Sequence, residues 1–204
     1  MPGIAYNFPM LKKHLPNFLT CSRVLLIPIF VILFYCPFFY AHFIAGLIFV
    51  IACLTDWFDG YLARRLQVTS PFGAFLDPVA DKVLIATALV MIVAEGPKDL
   101  VIPAAIIIGR EITISALREW MAELGKRASV AVNQIGKVKT ALQMIALVML
   151  IIRIPHVTDG WLWQLLHAEW FSVLGIVLLY LAAILTVWSM VVYCLAAWRV
   201  LKSA

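Results

Sequence analysis

Charge is scarce in this chain. Only 13% of its 204 residues are Asp, Glu, Lys or Arg, where a soluble globular domain carries roughly 25%. With 64% hydrophobic residues and a mean hydropathy of +1.00, the composition excludes an ordinary water-soluble fold and indicates a helical membrane protein. Cysteine is sparse too. Cys21, Cys36, Cys53 and Cys194 are scattered without metal-ligand spacing, which argues against a zinc site or a disulfide framework and for buried, inert thiols. No internal repeat and no Gly/Ser-rich linker interrupts the chain, so one membrane domain is expected over residues 1–204. The first fifteen residues hold Pro2, Gly3 and Pro9 but no seven-residue apolar core, and no small-residue cleavage site follows the first span. A signal peptide is therefore not expected there. Lys12, Lys13 and His14 beside Met10, Leu11 and Leu15 suggest that residues 1–15 lie on the membrane surface.

Long apolar stretches are plentiful. A crossing needs about 20 mostly apolar residues, and six such stretches can be placed: Asn17–Phe38, Ala41–Leu66, Pro71–Ala94, Val101–Leu124, Gln134–Ile154 and Trp170–Ala197. The expected fold class is an all-α integral membrane protein of six transmembrane helices. Cations gather on one side of it: Lys12, Lys13, Arg23, Arg64, Arg65, Lys126, Arg127, Lys137, Lys139, Arg199 and Lys202. The opposite side holds Lys98 and Arg153, while Lys82, Arg110 and Arg118 fall within spans. The positive-inside rule then puts both termini in the cytoplasm. The net charge of +5 is mostly this asymmetry, which argues against nucleic acid as a partner and for attraction to anionic lipid headgroups. Trp161, Trp163, Trp170 and Trp198 fit interfacial aromatic belts, and His156 and His167 fit surface positions.

Against that apolar background stand four aspartates: Asp56-x2-Asp59-Gly60-x2-Ala63-Arg64-x8-Gly73-x3-Asp77-x3-Asp81. An ionised carboxylate at the bilayer centre costs at least about 2.5–3.5 kcal/mol, and four together repel one another unless cations intervene. Asp56 and Asp59 are i and i+3 on the second span, and Asp77 and Asp81 are i and i+4 on the third. Ser70 suits a helix N-cap with Pro71 at the first helical position, and Pro78 suits a kink. A tight Gln67–Ser70 turn would set both pairs face to face near the inner surface. Oxygen-only anionic ligands suit Mg²⁺ or Mn²⁺, and four carboxylates suffice for two ions. Salt bridges to Arg64, Arg65 and Lys82 are the plainer alternative. Gly60 and Gly73 let a bulky ligand approach the helix backbone or let helices pack. Arg64, one turn beyond Gly60, could grip a phosphate.

This pattern resembles the signature of the CDP-alcohol phosphotransferase family, at every fixed position. Leu15-Pro16-Asn17-Phe18-Leu19-Thr20-x-x-Arg23, Thr55–Gly60, Asp77–Lys82, the run Arg110–Glu119 and Gly136–Thr140 extend the likeness over nearly the whole chain. They are similar to bacterial members that use glycerol 3-phosphate as acceptor. The resemblance implies a six-helix enzyme of the bacterial inner membrane, usually a homodimer, with a metal site open to the cytoplasm. It implies transfer of a phosphatidyl group from CDP-diacylglycerol to the primary hydroxyl of glycerol 3-phosphate, with release of CMP. It further implies that Asp56, Asp59, Asp77 and Asp81 ligate the metals and that Asp81 is also the general base. Asp56, Gly60, Ala63, Arg64 and Gly73 would bind the CDP-diacylglycerol.

The acceptor is less legible, because members share the acidic signature and differ in the alcohol. Arg110, Glu111, Ser115, Arg118 and Glu119 share one broad face of the fourth span. Arg110 lies roughly 21 Å from the inner end at 1.5 Å rise, so it should face a polar cavity or pair with Glu111. Lys137 and Lys139 fit either the basic rim or the same site. The resemblance favours Arg110, Arg118, Lys137 and Lys139 as the pocket for glycerol 3-phosphate. Two alternatives stand beside it: a sibling transferase using serine, inositol phosphate or phosphatidylglycerol, and a cation transporter. The lack of acidic residues in the outer half of the spans speaks against transport.

Overall fold

The structure, a computed structural model, describes residues 9–38, 40–66, 71–124, 134–152 and 169–202. Six α-helices occur among them: α1 (Pro9–Phe34), α2 (Ala41–Leu66), α3 (Pro71–Glu95), α4 (Val101–Glu123), α5 (Gln134–Ile151) and α6 (Glu169–Lys202), with a 3-10 turn at Lys98–Leu100 before α4. No strand occurs among the described residues. Helices α2 to α5 begin at the residues the sequence predicts. Helix α1 begins at Pro9 rather than Asn17, so residues 9–15 of the expected surface segment continue into the first long helix. Proline is tolerated in a first turn, and Met, Leu and Lys are good helix formers. The expected Gln67–Ser70 turn, and Lys126, Arg127, Arg153, His156, Trp161, Trp163 and His167, lie outside the described residues.

Two stretches, Lys98–Glu123 and Glu169–Arg199, are long and apolar enough to cross a membrane, and only 28% of each apolar window is buried. Cys21–Phe34, Ala41–Asp56 and Val138–Ile151 form shorter apolar helices among the described residues. Large apolar side chains such as Leu25, Ile32, Ile102, Ile184, Trp188 and Trp198 face outward, a surface that suits hydrocarbon better than water. All four cysteines are free, and Cys21, Cys36 and Cys194 are exposed rather than buried as expected. A thiol behaves as a small apolar group, so it can sit on an outward apolar face.

The chain falls into two compact units, Met1–Thr87 and Ala88–Ala204. In the first, α1 and α2 pack as an antiparallel pair through aromatic residues. The Phe34 ring lies 4.8 Å from that of His42, and Phe30 lies 6.0 Å from Phe49. Arg23 and Asp56 each stand seven residues further along the same two helices. The aromatic register therefore delivers one to the other. Helix α3 passes through Pro78, which has no N–H for the Ala74 carbonyl, so a rung of the ladder is missing beside Asp77 and Asp81.

In the second unit α6 packs against both α4 and α5. Close approach to α5 depends on Gly175, where a Cβ would lie 3.1 Å from Leu150 Cγ and 3.2 Å from Met149 Cβ. Small residues let helices approach closely. Gly175→Val is expected to cost about 1–3 kcal/mol through overpacking, measured as a lower thermal midpoint of the purified protein; an unchanged midpoint would show that the two helices separate freely. At the other face, Tyr180 donates its hydroxyl to the Asp99 carbonyl at 2.9 Å and ties α6 to the turn before α4.

Candidate functional site

The acidic positions lie in the first unit. Asp56 is on α2 and Asp77 and Asp81 are on α3, all partly exposed. Arg23 of α1, although completely buried, forms an ion pair with Asp56 through Nη1 and Oδ1 at 2.7 Å. Burying a guanidinium demands a paired charge, and Asp56 supplies it while remaining 46% exposed. This corrects one expectation: Arg23 is not a rim cation but the anchor of the first acidic residue. The charges of Asp81, Asp56 and Arg23 all act on Cys53, one turn before Asp56. Charges from α2 and α3 thus both reach the Cys53 thiol. Asp59, Gly60, Ala63 and Arg64 lie on α2 and Gly73 on α3, but their side chains lie outside the described residues.

Among the described residues, no three His, Cys, Asp or Glu side chains gather closely enough to hold a metal ion. The chemistry of the donors nonetheless fits a hard divalent cation. Asp56, Asp77 and Asp81 supply carboxylate oxygens, and Asp56 meets Arg23 through Oδ1. Oxygen-rich, anionic sets of this kind select Mg²⁺ or Mn²⁺ over softer metals.

The cationic positions lie in the second unit. Arg110 Nη1 and Lys139 Nζ both donate to Glu111 Oε1, the latter at 3.1 Å. Lys139 is 3% exposed, which removes the basic-rim alternative for it. Arg110 meets one of its two expected surroundings, the pairing with Glu111, and it also approaches α6. Its Nη2 donates to Ser189 Oγ at 3.4 Å. Arg118 Nη2 donates to the Tyr193 hydroxyl at 3.0 Å, and its guanidinium carbon lies 5.3 Å from the centre of that ring. Ser115 turns inward along its own helix and donates to the Glu111 carbonyl, while Glu119 is exposed. Lys137 lies on α5, its side chain outside the described residues.

Four polar residues of this region escaped the sequence reading. Gln143 of α5 and Thr186 and Ser189 of α6 are buried, and Tyr193 joins them beside Arg118. Thr186, Ser189 and Tyr193 recur at i, i+3 and i+7, one face of a helix. That periodicity was the available signal. Two buried donors here, Arg110 Nε and Thr186 Oγ1, have no partner among the described residues, which leaves polar capacity for a bound group. An apolar groove of about 470 Å³ between α4 and α6, lined by residues such as Ile102, Ile106, Tyr180, Ile184 and Trp188, includes none of the predicted site residues.

Residues 13–188 match the family model described as CDP-alcohol phosphatidyltransferase. The chain is 54% identical over 188 residues to the CDP-diacylglycerol–glycerol-3-phosphate 3-phosphatidyltransferase of Salmonella paratyphi A, covering 92% of this chain and 96% of that protein. The proteins of the same name from Sodalis glossinidius and Pectobacterium atrosepticum are 53% and 54% identical over 189 residues, with the same coverage. Match and identity together extend over both compact units. The chain belongs to the CDP-alcohol phosphatidyltransferase family.

Proposed function

We propose that this protein transfers the phosphatidyl group of CDP-diacylglycerol to the primary hydroxyl of glycerol 3-phosphate, giving phosphatidylglycerophosphate and CMP. The observation that carries the reading is the 54% identity over 92% of the chain to relatives named for that reaction. The cationic cluster of the second unit supports it, because an acceptor bearing its own phosphate needs several buried donors. Six membrane spans, cytoplasmic termini, one membrane domain over residues 1–204, inner-membrane location and a homodimer complete the proposal. It draws support from the six helices, the outward apolar side chains and the one-sided distribution of lysine and arginine.

Within this reading each group has a task. Asp56, Asp59, Asp77 and Asp81 would hold one or two divalent cations. When bound, such a cation compensates the charge of the pyrophosphate and of the departing CMP. Gly60 and Gly73 leave room for the cytidine diphosphate against the helix backbone, Asp56 and Ala63 line that pocket, and Arg64 grips a phosphate. Arg110, Arg118, Lys137 and Lys139 bind the phosphate of the acceptor. Asp81 takes the proton of the acceptor hydroxyl as that oxygen bonds to phosphorus and the CMP oxygen leaves with the bonding electrons. Positioning and charge compensation do most of the work in such a transfer.

Purified protein given CDP-diacylglycerol and a panel of labelled alcohols tests the assignment. Label from glycerol 3-phosphate is expected in lipid, with one CMP released per product. Strong activity with serine, inositol phosphate or phosphatidylglycerol and none with glycerol 3-phosphate would overturn the acceptor. Cation flux without any lipid product would replace the transferase by a transporter.

A further inference from the structure

The two arginines of α4 are not left to find their own conformations. Arg110 and Arg118 stand eight residues apart, roughly 12 Å along the helix axis, and each reaches a polar side chain of α6. Arg110 Nη2 donates to Ser189 Oγ at 3.4 Å, and Arg118 Nη2 donates to the Tyr193 hydroxyl at 3.0 Å. Ser189 and Tyr193 are one turn apart on a mostly apolar helix. The hydroxyl hydrogen of Ser189 is committed to the Thr186 carbonyl at 2.9 Å, so its lone pairs are turned outward as acceptors. Tyr193 adds a ring beside the Arg118 guanidinium, 5.3 Å from centre to Cζ, within the range of a cation–π attraction.

A free arginine side chain carries several rotatable bonds, and fixing it costs up to about 2 kcal/mol of entropy. Paying that cost within the fold, before ligand arrives, favours binding of an anion. We infer that Ser189 and Tyr193 form a positioning stripe on α6 that holds Arg110 and Arg118 ready for the phosphate of the acceptor. The inference rests on the proposed binding of that phosphate by the two arginines. Among the described residues Arg118 engages Tyr193 through one nitrogen, which leaves its other N–H groups for ligand. Neither Ser189 nor Tyr193 needs to touch substrate to act this way.

The test is a kinetic cycle on the full-length protein with CDP-diacylglycerol and glycerol 3-phosphate. Tyr193→Phe keeps the ring and removes the hydroxyl. It is expected to raise the KM for glycerol 3-phosphate roughly threefold to tenfold, with kcat and the KM for CDP-diacylglycerol within about twofold of wild type. Tyr193→Leu, which removes the ring as well, is expected to raise it further. Ser189→Ala is expected to act in the same direction and Ser189→Thr to restore the acceptor KM. In an Arg118→Lys background the Tyr193→Phe effect is expected to vanish, because coupled residues are not additive. An equal effect of Tyr193→Phe in both backgrounds, or a parallel rise in both substrates' KM with a lower thermal midpoint, would reduce Tyr193 to a packing residue and overturn the inference. If Arg118→Lys and Arg110→Lys leave the acceptor KM at the wild-type value, the phosphate-binding reading itself fails and the positioning role falls with it.

Discussion

Asp81→Asn is expected to lower kcat by about 10²–10⁴-fold, the usual contribution of a positioned general base. Asparagine keeps the size of the side chain and one carbonyl oxygen but cannot accept the acceptor's proton. Three carboxylates of the signature remain, so binding of CDP-diacylglycerol is expected to survive within a few-fold. The two effects separate in a comparison of kcat with equilibrium binding of the liponucleotide. Near-wild-type turnover in this variant would remove Asp81 from proton transfer. Complete loss of liponucleotide binding would instead make it chiefly a ligand that assembles the acidic site. The structure gives a reason to expect that liponucleotide binding survives. Asp56 has its own buried anchor in Arg23, so the α2 half of the cluster does not depend on Asp81 for its position.

Glu111→Ala is the second large effect. One oxygen of Glu111 accepts from both Arg110 and Lys139, and Lys139 is almost fully buried. Removing one partner of a buried ion set leaves uncompensated charge and costs about 3–5 kcal/mol. Two neighbouring cations would then repel each other with no anion between them. For a chain of this size, each kcal/mol shifts the thermal midpoint by roughly 2–4 °C, so a fall of about 10 °C is expected. Glycerol 3-phosphate, which would supply the missing negative charge, is expected to recover part of that loss by binding the folded state. Thermal unfolding with and without the acceptor checks both parts. A wild-type midpoint without ligand would mean that Arg110 and Lys139 find other partners.

Much of the site was legible because charge is so rare here. In a chain this apolar, four aspartates at i, i+3 and i, i+4 spacing stand out without any structure, and Pro71 marks the start of α3 as expected. Arg110 and Lys139 were singled out in the same way, though sequence alone left each between two surroundings. Burial at 3% decided for Lys139, and the pairing with Glu111 decided for Arg110. Arg23 was misjudged for a physical reason. An arginine near the end of an apolar stretch looks like a rim cation, and only the packing of Phe30 on Phe49 sets the register that carries it to Asp56. Thr186, Ser189 and Tyr193 were missed because their small polar content barely lowers the hydropathy of a 34-residue apolar helix. Their spacing is informative only once α4 is known to lie against that face. The exposed cysteines were misjudged because hydrophobic side chains were equated with interior ones, an equation that fails when the surroundings are themselves apolar.

The account rests on carboxylates of two helices serving together as ligands for a hard cation that makes a lipid-linked diphosphate reactive. Release of CMP from CDP-diacylglycerol, followed with glycerol 3-phosphate present, is the measurement to make on chelator-treated protein before and after metal is returned. The expected result is activity lost on treatment, restored by Mg²⁺ or Mn²⁺ and not restored in Asp56→Asn or Asp77→Asn. Undiminished CMP release from the metal-stripped protein would contradict it.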